Sequence, residues 1–568
     1  MENRNIARLL SETADLMEIA AEDPFRIRSY RNAATVIEGY PESVAEIVRD
    51  PARKVTDIPG IGKGLAAALA EILARGSFER RDQMLEKYPP TALELLKIQG
   101  LGPKSIAMLW EHYRVSTVDD LELICREQRL RLLPRMGAKL EEKVLRSIAY
   151  YRQGAGRFTL NFAAEVVENL TAQLGAMGGV ESVTVAGSYR RGKETVGNLN
   201  LLVTGPGAQA AVEGFIAHPR LGLEGLPVDA RAWPKADFGT ALQRFTGSQE
   251  HNLALRDRAL HLGLTPGPAE TEEQVYAALG LAWIPPELRE NQGEIEAAAE
   301  NRLPGLVQLA DIRGDLHMHT IESDGRATLE EMAATARGLG YEYIAITDHS
   351  KALAMVNGLD ERRAVDFAAR VRQANRDGLG IHVFSGLECD IRRDGSMDLA
   401  DDALAQLDFV VASVHSYMNL EPAEMTGRLL RAIENPHVRA IGHPTGRELL
   451  RRDAFPFDFE QVARAAARRG VWFEINSSPE RLDLDAPLIR QAKALGAKFV
   501  VSTDAHHPKH LANMRFGVSM ARRGWLEAAD VVNTYPLEQF RSAIRRRVAQ
   551  PSGCENMSQP KGCATGSD

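Results

Sequence analysis

The sequence contains no run of about 18 apolar residues, so no segment is a candidate membrane-spanning helix. Cysteine is scarce, with four in 568 residues, which excludes a disulfide framework. Two of them, Cys554 and Cys563, sit in a small, polar tail, PSGCENMSQPKGCATGSD (551–568), expected to be disordered, and their spacing matches no common metal knuckle. The first 25 residues carry acids and lack the apolar core of a signal peptide. A general excess of positive charge is also missing. The net charge of −8 argues against a uniformly basic nucleic-acid binder, while leaving room for a local basic face. A cytoplasmic protein with no membrane partner is the expectation.

What is present is ordinary globular composition, 44% hydrophobic and 26% charged, in a chain long enough for roughly three to five domains. Apolar residues recur at helical spacing in Ile6–Met17 and Leu65–Leu73, and residues 110–155 continue as helices. SVTVAGS (182–188) and LNLLVTG (199–205) read as strands. NFAAEVVENLTAQLGAMG reads as a helix. Residues 232–285 are less regular, and WIPPELRENQGE (283–294) reads as an extended connection. After Asp311, short apolar runs alternate with helical segments: YIAITD (343–348), HVFSGLECDI (382–391), FVVASVH (409–415), AIGHP (440–444), VWFEINS (471–477) and KFVVSTDAH (498–506). Repeats of this kind predict a parallel sheet or α/β barrel.

Two segments near the N-terminus, IPGIGKGLA (58–66) and IQGLGPKSI (98–106), each place Gly-x-Gly before a helix. Glycines permit a tight turn with outward N–H groups, and the following helix N-terminus completes a phosphate site. Gly60, Gly62, Lys63, Gly100, Gly102 and Lys104 are therefore candidate DNA-backbone contacts of helix-hairpin-helix type. A third copy, LPRMGAKLEEKV (133–144), is degenerate. Between Pro51 and Trp110 there are nine Lys or Arg against six Asp or Glu.

Ligand-type side chains gather in the C-terminal half. DIRGDLHMHTIESDG (311–325) sets His317 and His319 at i, i+2, on one side of an extended segment, with Asp324 in the next loop. His349, Glu388, His415, His443, Asp504 and His506 fall near the C-terminal ends of the apolar runs, the end that carries active sites in parallel α/β folds. Nine nitrogen and oxygen ligands suit three divalent cations with a bridging carboxylate, for which Glu388 is the natural candidate. Without cysteine the choice lies among Mn, Zn, Fe and Mg. Such a centre supplies an activated water and charge stabilisation for phosphoester hydrolysis. Asp348, His507 and Glu474 lie nearby and are given no metal role, Asp348 being expected to orient a ligand histidine. Arg392, Arg393, Arg447 and Lys509 are candidates to hold the rest of a substrate.

Residues 186–205, AGSYRRGKETVGNLNLLVTG, resemble the nucleotidyltransferase signature of family X DNA polymerases. VDARAW (228–233), FTGSQEHN (245–252) and DPFRIRSYRNAA (23–34) extend the resemblance. With the C-terminal half it covers nearly the whole chain and points to bacterial family X polymerases carrying a polymerase-and-histidinol-phosphatase (PHP) domain. The resemblance implies a helical domain at 1–90, a fingers-like region at 91–155, an α+β palm and thumb at 156–300, and a distorted α/β PHP barrel of roughly seven strands at 311–550. It favours Mn, assigns catalysis to His317, His319, Glu388, Asp504 and His506, and puts the protein on DNA in a bacterial nucleoid, as a monomer. Asp324 stands where some relatives have a nearby His.

The departures from that pattern matter. The family's Gly-Asp-x-Asp is Gly197-Asn198-Leu199-Asn200 here, leaving Asp229 as the third carboxylate. Two-metal nucleotidyl transfer needs carboxylates to offset two cations, so polymerase activity is expected to be lost or weak. Ser188, Arg191 and Gly197 still match triphosphate contacts, so deoxynucleotides could bind. Arg244 replaces a Tyr, the stretch 258–273 is shorter, and the position of a lyase nucleophile is Ala68. The implied function is a DNA-repair 3′–5′ exonuclease or 3′-end-processing phosphodiesterase, with abasic-site cleavage open by the same chemistry. The alternatives are a histidinol-phosphatase-like phosphatase, a gap-filling polymerase with nuclease, and a non-enzymatic DNA scaffold.

Overall fold

The computed structural model describes residues 1, 3–38, 40, 42–217, 225–265 and 267–545. The tail at 551–568, expected to be disordered, lies outside them, with Cys554 and Cys563. The chain divides into two compact units. One comprises Met1–Ala155 with the short stretch Leu450–Asp453; the other comprises Gly156–Leu449 and Ala454 onward.

The first unit is helical. Asn3–Ile19 buries Ile6, Leu9, Leu10, Ala14 and Met17, the stripe that 3.6-residue periodicity dictates. Each Gly-x-Gly segment forms the same device. A 3₁₀ turn (Val55–Asp57, then Pro90–Lys97) leads to a left-handed glycine, Gly60 at φ 80° and Gly100 at φ 96°. Gly62 and Gly102 then cap the helices Lys63–Arg75 and Pro103–Tyr113. The third segment, degenerate in sequence, repeats the backbone: a 3₁₀ turn at Leu130–Leu132, Arg135 at φ 67°, and Gly137 capping Ala138–Gly154. Arg135 takes up a conformation that glycine adopts without strain.

The second unit opens with a three-stranded sheet, β1 (Ser182–Ala186), β2 (Leu199–Thr204) and β3 (Val228–Ala232), β2 lying in the middle. β1 runs antiparallel and β3 parallel to β2, which places Asn200 opposite Asp229. The helix Leu160–Gly175 packs its apolar face on this sheet. The irregular-looking stretch 232–285 instead holds three helices, Phe238–Thr246, Gln249–His261 and Glu272–Ala278. Residues 283–294, read as an extended connection, are largely irregular, with one 3₁₀ turn at Pro286–Leu288. Ile284 and Arg289 are fully buried, because Arg289 spends its donors on Glu272 and the Ile284 carbonyl.

The remainder is a seven-stranded parallel sheet: β4 (Gly314–Asp315), β5 (Tyr343–Ile346), β6 (His382–Asp390), β7 (Phe409–Ser413), β8 (Val438–Ile441), β9 (Trp472–Asn476) and β10 (Phe499–Ser502), each hydrogen-bonded to its neighbour in chain order. Strands buried on both faces read as continuous apolar runs. The edges nearly close into a barrel. Met318 bridges Ala505, Asp315 accepts from the Thr503 N–H at 3.1 Å, and the Asn533 amide donates to the carbonyls of Gly314 and Val501 at 2.7 and 2.8 Å. At the N-terminal ends of the strands the interior is filled by Tyr343, Phe409 and Trp472 around Phe540. The C-terminal ends are left for the polar cluster.

Candidate metal centre and degenerate palm

His317 and His319 follow β4 in an extended segment, and their rings lie 5.2 Å apart. His349 stands three residues beyond β5, Glu388 lies inside β6, and His415, His443 and Asp504 each stand two residues beyond β7, β8 and β10. All nine expected ligands meet. Three groups of ligand atoms each fall within 4.8 Å: His319, Asp324, His349 and His506; His317, His319 and Asp504; His349, Glu388 and His415. His443 Nε2 lies 2.8 Å from Glu388 Oε1, tying the ninth residue to the third group.

The donor set fits divalent cations on a structural ground. His317 Nε2, His319 Nδ1, His349 Nδ1, His443 Nδ1 and Glu388 Oε2 are buried without a hydrogen-bond partner. His349 Nδ1 lies 2.8 Å from Glu388 Oε2, but out of hydrogen-bonding line. Buried lone pairs left unsatisfied are costly and rare; several converging ones describe a ligand shell. His317 and His319 would hold a cation with Asp504, Asp324 and His506 would serve a second position, and Glu388 with His415 and His443 a third. His443 at φ 27° and Asp504 at φ 54° both sit in strained backbone.

Charge follows the same geometry. Burial opposes ionisation of His317, but the carboxylates of Glu474, Glu388 and Asp504 outweigh it and hold the imidazole well above its ordinary value. Burial, with the neighbouring His506 and His349, pushes His319 down to about 3. Burial would raise Asp504, yet His317, His319 and His506 hold it well below the usual carboxylate range.

The orienting residues differ from expectation. Asp348 touches no imidazole: its carboxylate accepts from the Thr320 N–H at 2.8 Å, the Thr320 hydroxyl at 2.7 Å and the Ser323 hydroxyl at 2.6 Å. It pins the loop that carries Asp324. Orientation falls to Glu474, which accepts from His317 Nδ1 at 2.7 Å and the His443 N–H at 2.6 Å, and to Asp390, which accepts from His415 Nδ1 at 2.6 Å. From the sequence, Glu474 was placed near the cluster without a metal role, and Asp390 was given no role. Alternation was the available signal, because Glu474 and Asn476 alternate with apolar residues in a buried strand.

In the palm, Asp229 is engaged by Arg231, two residues along the same strand, at 2.8–3.1 Å. That guanidinium also lies 5.1 Å from the Phe245 ring centre. Asn198 and Asn200 face each other at 3.4 Å. Ser188 lies on the short turn of helix Gly187–Arg190, and Gly197 immediately precedes Asn198 and β2. Arg191 does not stand free: it donates to Glu290 at 2.8 Å and to the Thr246 carbonyl at 2.8 Å.

Comparison with known proteins finds matches along much of the chain. Family models match a helix-hairpin-helix domain at residues 1–78, a SAM-like helix-hairpin-helix tandem at 92–149, a DNA polymerase beta thumb at 241–290 and a PHP domain at 315–452. The chain is 32% identical to the "DNA polymerase/3′-5′ exonuclease PolX" of Bacillus subtilis over 575 residues, 96% of this chain and 100% of that one. It is also 32% identical over 246 residues to a "Probable phosphatase" of Acetivibrio thermocellus, covering 41% of this chain and 95% of the relative. It is 34% identical to another from Shewanella sp. (strain MR-4), covering 42% and 91%. The chain therefore belongs to the PolX family, the family X DNA polymerases that carry a C-terminal PHP domain.

Proposed function

We propose that this chain is a DNA-repair 3′–5′ exonuclease or 3′-end-processing phosphodiesterase whose polymerase site no longer synthesises DNA. The convergence of nine ligand side chains, several with orphaned buried lone pairs, carries the hydrolytic half of this reading. Divalent cations, with Mn favoured, supply Lewis acidity and an activated water when bound there. The chain's residues do the rest. Glu474 and Asp390 fix the rotation of His317 and His415, and Asp348 holds the Asp324 loop. Buried β-strand ends keep the donors in place.

The synthetic half is read as lost because a two-metal palm needs negative charge. Two of its three acidic positions are amides, and Asp229 is neutralised by Arg231. The hairpins with Gly60, Gly62, Lys63, Gly100, Gly102 and Lys104 would grip the DNA backbone, and the palm would hold an end without extending it. Ser188 and Gly197 retain positions suited to a nucleotide phosphate. A monomer acting at the nucleoid on gapped, 3′-recessed or damaged ends fits this arrangement. The likeness of part of the chain to phosphatases favours one alternative, a small phosphomonoester substrate; the three hairpins weigh against it.

The test is an end-labelled, 3′-recessed duplex incubated with Mn²⁺. Stepwise shortening by the native protein that disappears in Asp504→Asn is the expected result. Hydrolysis of histidinol phosphate with the duplex left intact would contradict it.

A further inference from the structure

The basic side chains around the metal centre differ in what they already hold. Arg392 donates to the Asp398 carbonyl at 2.6 Å, Arg393 lies over the Tyr417 ring, and Lys509 is exposed. Arg447 donates its Nε to the Arg481 carbonyl at 3.0 Å and its Nη2 to the Leu482 carbonyl. Arg447 is thus a clamp on the loop that follows β9, and that loop carries Arg481. The same loop is fastened a second time, where Asp483 accepts from the N–H and hydroxyl of Thr445, both at 2.9 Å.

Arg481 is held against the cluster but not satisfied by it. Its Nε stands 3.8 Å from Asp504 Oδ2 and its Nη1 stands 4.0 Å from Glu448 Oε1, both beyond hydrogen-bond reach. Nη1 is buried and has no hydrogen-bond partner, although the side chain as a whole is 20% exposed. Burying a donor with no acceptor is unfavourable. Placing a permanent cation beside a carboxylate that would itself hold a metal ion is also unfavourable, unless an anion lies between the two positive charges. The fork of a guanidinium matches a phosphate's oxygens.

We propose that Arg481 is a substrate-binding residue, its guanidinium donating to a non-bridging oxygen of the phosphate being hydrolysed. This rests on the phosphoesterase reading and adds to it a cationic side chain placed beside Asp504, one of the candidate metal ligands. Arg447 and Asp483 are positioning residues that hold its loop.

The test uses the full chain loaded with Mn²⁺ and compares native protein with Arg481→Lys and Arg481→Ala. Three quantities are read: inorganic phosphate binding by calorimetry, Mn content after dialysis, and kcat and KM on the 3′-recessed duplex. The expectation is that Arg481→Ala weakens phosphate binding at least tenfold and lowers kcat/KM by about 100-fold, with Mn content unchanged. Arg481→Lys falls between, and added guanidinium ion restores part of the Arg481→Ala activity while leaving native protein unaffected. Phosphate binding and kcat/KM within twofold of native would overturn the proposal, as would a loss of Mn matching the loss of activity. If native protein binds phosphate through Arg481 yet leaves DNA uncut, the nuclease reading fails and the phosphate site stands. If DNA is cut equally well without Arg481, this inference alone fails.

Discussion

A carboxylate that never touches a metal can decide whether the metal stays. Glu474 binds two ligand residues at once, the ring of His317 and the backbone of His443, and it holds His443 in a strained conformation. Glu474→Gln keeps the volume but removes the charge, and its amide cannot accept from both with equal strength. Metal affinity is expected to fall about 10–100-fold, since losing an orienting partner has that effect in other sites. Metal titration followed by calorimetry measures this, and unchanged affinity would show that His317 needs no such partner. That the nine candidate ligands come together was legible in the sequence, because side chains at the ends of apolar runs emerge at one end of a parallel sheet. Glu474, Asp390 and Arg481 were not. Their roles depend on which neighbouring strand or loop each side chain meets, and spacing along the chain carries no information about that. Asp348 misled for the same reason: its place beside His349 suggested a ring partner, but the loop at Thr320 and Ser323 lies closer.

At the scale of elements, the three hairpins make the clearest case. Two were legible from Gly-x-Gly. The third was obscured because Arg135 occupies the left-handed position, although the backbone is the same. If the hairpins hold phosphates, replacing Lys63 and Lys104 together by Ala should reduce the slope of log affinity against log salt by about 2. Fluorescence anisotropy at several salt concentrations reads this directly, and an unchanged slope would remove both lysines from the interface. Gly100→Ala should cost about 1–2 kcal/mol from the left-handed backbone alone, with further strain where a Cβ would meet Leu140 Cδ1 at 2.8 Å. Thermal melting reports that cost. The thumb helices were less visible. Apolar residues of Gln249–His261 are spread around the helix, so no stripe marks it. Its stability comes instead from Ser248 capping the His251 N–H and from the buried chain of Tyr276, His251 and Glu294.

On the scale of the whole molecule, palm, thumb and barrel form one compact unit joined by ion pairs as well as apolar packing. Glu272 receives Arg190 from the palm and the buried Arg289. Burial would raise its carboxyl, but hydrogen bonds from the two guanidinium groups hold it down at about 2. A depressed carboxyl stabilises the fold in its ionised form, fully above an ordinary value of 4.5 and progressively less as pH falls toward about 2. Glu272→Gln should therefore cost about 3–5 kcal/mol at neutral pH, where it leaves two cations uncompensated, and should flatten the acid limb of stability between those values. Denaturant midpoints measured against pH test both parts. The boundary near residue 155 and the barrel were legible because the hydrophobic pattern changes there. The union of thumb and barrel was not, since it rests on pairs such as Arg523 with Glu290 and Arg522 with Glu287, far apart in sequence.

In the proposed function the PHP-type cluster is the working catalytic centre and the palm is not. The most direct measurement offers both sites their substrates together: an end-labelled, 3′-recessed duplex with Mn²⁺ and all four deoxynucleotides, resolved by length. The expected products are shorter than the primer and absent in Asp504→Asn, with none longer in either protein. Template-dependent extension of the primer would contradict that function.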